Sequence, residues 1–271
     1  MATITAARTY TSLDGAQIKV APSLGADVFS CVAHATFARP EIGRFEFVVG
    51  PRHLGRDLAF DPQIVVDTEI VDEYAFGGGD LVMASGFTPA DRAGEHWELT
   101  ADGVAIRETM NIAIWEGRNF SFHTFRYGPP DPALDGLLEV FGHVALDERP
   151  DGVAVRPDRN GKFFLDDGPT IMQDVPGVAL VEIRQLTQRN ASVLPRRRGT
   201  RVRGGELFAH VPERDDPHAA HVHARRDIHP ETFLHKVTPS AIVTVLPHAR
   251  AGERRLMDLA TSLRVDWSGA G

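Results

Sequence analysis

A single cysteine, Cys31, stands in 271 residues, so the chain can close no internal disulfide and lacks the staple on which small secreted proteins depend. The surrounding FSCVAHATF is strand-like, which suits a buried structural thiol better than a nucleophile. Lysine is almost as scarce. Of 29 basic residues only Lys19, Lys162 and Lys236 are lysines, and none lies in an apolar pocket-like run, so Schiff-base chemistry has little to work with. No apolar run approaches the roughly 18 residues that span a bilayer as a helix. The opening MATITAARTYTSLDG has neither the basic start nor the apolar stretch of a secretory signal. From these absences we expect a cytoplasmic protein with no membrane partner. A formal charge of −8 argues against nucleic acid as a partner. Also missing are G-x-x-x-x-G-K-[ST], G-x-G-x-x-G after a strand, G-x-S-x-G, H-E-x-x-H and C-x-x-C. Kinase, dinucleotide-dependent dehydrogenase, α/β-hydrolase and zincin chemistries are therefore poorly supported.

What the sequence does contain is period-two alternation, the pattern of half-buried antiparallel strands. Ile64, Val66 and Ile70 alternate with Val65, Asp67 and Glu69, and Gly77-Gly78-Gly79 follows as a turn. After residues 95–100, Ala101-Asp102-Gly103 is a short hairpin cue. From Val104 to Trp115 one face reads Val104, Ile106, Glu108, Met110, Ile112, Ile114, apolar except for Glu108. A turn at Glu116-Gly117-Arg118 leads to a strand over 119–127, which the prolines of Gly128-Pro129-Pro130-Asp131-Pro132 break. Leu137 to Leu146 alternates again, and Asp151-Gly152 turns into Val153 to Arg156. Further strands are expected over 178–186, 206–211 and 241–246. The expected fold is all-β and mainly antiparallel, a long-stranded up-and-down meander closing into a barrel or forming a wide β-sandwich. Residues 1–271 read as a single β-rich unit, with 157–177 the place where a weak subdivision would fall.

At the C-terminus two periods compete. Leu256, Leu259, Ala260 and Leu263 make a helical stripe, whereas Met257, Leu259, Leu263, Val265 and Trp267 share one face of a strand. The strand accounts for Val265 and Trp267, so the expectation is a final long strand over 254–267 pairing with 241–246.

Three constellations carry chemistry. The first is the histidine cluster: His210, His218, His221, His223, His229, His235 and His248 all fall in the last quarter. On a strand His221 and His223 would share a face about 7 Å apart, with Asp227 and His248 as further ligands of a divalent transition metal. The pattern His-x-His followed by Asp227 resembles part of the first metal motif of the cupin family. Cupins carry glutamate at the Asp227 position and glycine where this chain has Asp215, and their glycine-rich second motif is not reproduced at Pro247-His248. The competing reading is a solvated loop, DDPHAAHVHARRDIHP. The second constellation is Glu108, a carboxylate on an apolar face that would act as a general acid with His123 or Glu98 from neighbouring strands. An ion pair with Arg107, Arg126 or Arg184 is the alternative. The third is the basic loop from Arg196 to Arg203, able to hold an anion or meet an acidic face of a neighbouring subunit.

Together these features point to a small-molecule enzyme with its site in a β cavity, working through the histidine cluster with a metal or through a carboxylate and histidine pair. The alternatives are a lipocalin-like binder of an apolar ligand and an assembly subunit of a homo-oligomer.

Overall fold

The computed structural model describes residues 7–22, 31–39, 43–62, 64–88, 97–99, 105–107, 109–157, 164–191, 194, 199–210, 233–248 and 250–269. It is all-β and mainly antiparallel, and among the described residues no sheet closes into a barrel. No described helix is long and apolar enough to cross a membrane. The chain divides into two compact units, one of residues 1–33 with 168–271 and one of residues 34–167.

The first unit begins with β1 (Arg8–Thr11) and β2 (Gln17–Ala21). β3 (Cys31–Arg39) then leads into the second unit, which opens with β4 (Gly43–Pro51) and the short helix α1 (Leu54–Ala59). Next come β5 (Val66–Phe76), β6 (Gly79–Phe87), β7 (Trp97–Leu99), β8 (Ala105–Arg107), β9 (Thr109–Glu116) and β10 (Phe120–Tyr127). The unit continues through helix α2 (Pro130–Gly142) and the hairpin β11 (Val144–Arg149) and β12 (Gly152–Pro157).

Its main strands run in the order β4-β10-β9-β6-β5. The β5–β6 connection is a two-residue turn, because Phe76 pairs with Gly79 and leaves only Gly77 and Gly78 between them. Both have positive φ, 55° and 81°, which the twist of such a hairpin requires and glycine supplies without steric cost.

β9 is covered on both sides. Met110 to Glu116 are all buried, not just alternate residues. Met110, Ile112 and Ile114 pack with Ala59, Val65 and Val82 on the α1 side. Trp115 lies opposite Phe122 of β10, and the Phe122 ring meets Phe141 of α2 edge-on with centroids 5.6 Å apart, so the other face lies against α2.

α2 corrects the expected strand over Leu137 to Leu146. Ala133, Leu134, Leu137, Val140 and Phe141 form a buried helical stripe, and Pro130 and Pro132 occupy the first turn, where no intrahelical N–H bond is lost. The prolines that end β10 therefore open a helix. Only from Val144 does the chain resume as a strand.

The rest of the first unit follows: β13 (Phe164–Val175), β14 (Ala179–Gln185), α3 (Gln188–Ala191), β15 (Thr200–Val202), β16 (Gly205–His210), β17 (Phe233–Val237), β18 (Ala241–Pro247), α4 (Glu253–Ser262) and β19 (Arg264–Ser268). Strands pair in the order β13-β14-β18-β17-β16-β15, with β1-β2-β19 as a separate run.

The expected long strand over 254–267 is overturned. Residues 253–262 are helical, and only Arg264 to Ser268 are extended, paired with β2 rather than with β18. Both periodicities were real but consecutive: Ala260 and Leu263 are buried from the helical stripe, and Val265 and Trp267 from the alternating strand.

Candidate functional site

On the α1 side of the second unit, cross-strand register lines up one rung of polar residues. Asp80 of β6 lies opposite Glu116 of β9, Glu116 opposite Ser121 of β10, and Ser121 opposite Gly50 of β4. Two carboxylates directly opposite each other repel, so the rung is arranged against local stability. α1 docks onto it. Gly50 has no room for a side chain, since a Cβ there would meet Leu54 Cδ2 at 2.1 Å. The Gly55 N–H donates to Ser121 Oγ at 3.1 Å, and that hydroxyl donates to the Pro51 carbonyl at 3.0 Å. Ser121 is thereby used up as an anchor.

The same docking sets two nitrogen donors, one from Arg56 and one from His53, on Glu116. Arg56 Nε donates to Oε2 at 2.6 Å, and His53 Nδ1 lies 2.9 Å from Oε1. His53 is a non-glycine residue at φ 72°, a left-handed conformation that L side chains adopt at a cost. Glu116 is 8% exposed and His53 56% exposed. A carboxylate only accepts, so Nδ1 carries the hydrogen and the lone pair of a neutral ring lies on Nε2. Among the described residues the ring has no second partner.

Glu116 also lines an open cleft of about 520 Å³ together with Arg52, Phe76 to Asp80, Gly117 and Arg118. Trp115 holds its two glycine turns together: the indole N–H donates to the Phe76 carbonyl at 2.9 Å. A Cβ at Gly79 would lie 2.3 Å from the Glu116 carbonyl oxygen, and one at Gly117 would lie 2.4 Å from the Trp115 ring. Glu148 fixes the β9–β10 turn by accepting the Arg118, Asn119 and Phe120 N–H groups at 2.9, 2.6 and 3.2 Å. The Arg52 and Arg118 guanidinium groups and the Asp80 carboxylate have no hydrogen bond or ion pair among the described residues.

The residues singled out in the sequence lie elsewhere or outside the described residues. Glu108, His221, His223 and Asp227 lie outside them, as do Arg196 to Arg198 of the basic loop. Glu98 sits on β7, which pairs with β8 alone among the described strands. His123 is two residues along β10 from Ser121, opposite Ile114, and lies against Gly55 of α1. Burial drives its pKa down to about 4, with Glu46 opposing, and its Nδ1 has no hydrogen-bond partner among the described residues. It is a neutral core imidazole, away from solvent. His248 follows β18 and places Nε2 2.8 Å from Asp174 Oδ1. Among the described residues no three metal-ligating side chains converge.

Sequence reading placed the Gly77-Gly78-Gly79 and Glu116-Gly117-Arg118 turns but attached no chemistry to either, and it did not single out His53. Comparison with known proteins supplies no relative: no family model fits the chain, and no curated protein and no solved structure matches it.

Proposed function

We propose that the protein is an enzyme that moves a proton on a small polar substrate bound in the cleft between the two glycine turns. The observation behind this reading is the His53–Glu116 pair, a buried carboxylate on Nδ1 of an imidazole whose ring stands half in solvent. A carboxylate so placed keeps histidine in one tautomer and steadies the imidazolium once it forms. His53 meets the cleft through Glu116 rather than lining it, so its Nε2 takes the proton from the part of the substrate, or from the water, that extends beyond the Glu116 end of the cleft, and returns it within the same turnover. Arg52 and Arg118 suit an anionic group, carboxylate or phosphate, and Asp80 a hydroxyl or amine. An open cleft walled by charged side chains and glycine main chain favours such a polar ligand over the apolar one of a lipocalin-like binder.

The test is a panel of small carboxylates, phosphate esters and sugars followed by proton NMR, for binding and for turnover. A compound should bind and be converted, and His53→Gln should retain binding while cutting kcat at least about 100-fold. Binding without conversion, equal in the variant, would make the protein a receptor instead. A large fall in the melting temperature of His53→Gln would assign the pair to stability alone.

A further inference from the structure

β5 is eleven residues long and among the described strands pairs only with β6, so one edge of its main chain has no described partner. It is also exposed on both faces: Ile70, Val71 and Tyr74 are 43, 49 and 39% exposed, beside a β6 that is buried from Leu81 to Gly86. Large apolar side chains grouped on an open sheet edge are the usual mark of a surface that another chain covers. Two bulges interrupt the strand near Asp67 and Val71, and from Asp72 to Phe76 it is regular. Its charged residues share one sign, Asp67, Glu69, Asp72 and Glu73, of which Glu73 lies 3.5 Å from the Arg56 guanidinium.

The other unit offers the complement. Among the described strands β15 ends its own order, and Arg201 on it and Arg203 just after it are exposed and have no ion pair among the described residues. In sequence they close the run Pro195-Arg196-Arg197-Arg198-Gly199-Thr200-Arg201-Val202-Arg203. A two-fold pairing of β5 with itself about Val71 would set Glu69 against Glu73, which like charges on one rung oppose.

We propose that the acidic, apolar edge β5 of one molecule receives the arginine edge β15 of a second copy of this chain. The contact joins two different surfaces, so each molecule keeps one free edge of each kind and association continues head to tail rather than stopping at a dimer. Sedimentation velocity over a range of concentrations tests it. At low salt the protein should form a ladder of species beyond the dimer, shrinking towards monomer at about 0.5 M salt as the charges are screened. Val71→Lys and Arg201→Glu should each be monomeric with unchanged melting temperatures. Mixed together they should give a dimer that grows no further, since the first retains an intact β15 and the second an intact β5. A wild-type monomer at all concentrations in low salt would overturn the proposal. So would a dimer indifferent to Arg201→Glu, or a mixture of the two variants that stays monomeric.

Discussion

Lys236 and Glu116 are both buried charged residues at the edge of a helix, one in each unit, yet they are held in opposite ways. Lys236 has no solvent exposure, and its ammonium donates to the main-chain carbonyls of Thr261, at 2.9 Å, and Leu263, where α4 ends. Those carbonyls have no intrahelical donor, and a helix C-terminus favours positive charge. Burial, with the charge of Arg264 adding to it, pushes the lysine pKa down. Every partner is backbone, so the arrangement is closed. Glu116 is instead held by two side chains that reach solvent, His53 and Arg56, and it faces a cleft. A buried charge satisfied by main chain serves the fold, whereas one satisfied by solvent-exposed side chains at a cleft is placed to support proton transfer.

Substitutions can break or sharpen that contrast. The largest loss of stability is expected for Lys236→Met, which strands two helix-end carbonyls and should cost about 3–4 kcal/mol in urea denaturation. If it costs less than about 1 kcal/mol, the lysine is not the cap that closes α4. Next comes the acid limb set by His123. Its folded pKa of about 4 lies below the ordinary 6.5, so the unfolded chain binds a proton that the folded one refuses. Stability is full above pH 6.5 and declines as the pH falls towards 4, by about 3 kcal/mol. His123→Leu should flatten that limb, and an unchanged limb would mean the imidazole is protonated in the fold. The smallest effect belongs to the Glu116 end. Arg56→Met should cost about 1–2 kcal/mol by leaving a buried carboxylate one donor short.

Much of the fold was legible because strands and turns write themselves locally. The glycine turn at 77–79, the turn at 116–118, and the strands over 120–127, 152–157, 179–185 and 241–247 come directly from alternation and breakers. Two of the helices read as strands in the sequence for the same physical reason. Leu138, Val140, Val144 and Leu146 satisfy period two while Leu137, Val140 and Phe141 satisfy period 3.6, and in 254–267 a helix and a strand follow each other without a glycine or proline between them. The site was less legible. His53, just past the end of β4, meets Glu116 only through the order β4-β10-β9, which brings residues 63 positions apart into contact. Nothing in the run around Arg52-His53-Leu54 carries that order. His123, by contrast, is singled out in the sequence as a neighbouring-strand partner for Glu108, and burial makes it inert as a base at neutral pH.

The division of the chain also sets the timing of its folding during synthesis. Residues 34–167 are one continuous stretch, so that unit has all its strands once residue 167 has left the ribosome. The other unit is built from both ends of the chain, and its β2 waits for β19, with Gln17 pairing to Ser268. Contacts so distant in sequence form slowly because the loop between them must close first. One side of β2 therefore stays without its strand partner until residues 264–268 have been made, an unpaired edge that a chaperone would shield in the meantime.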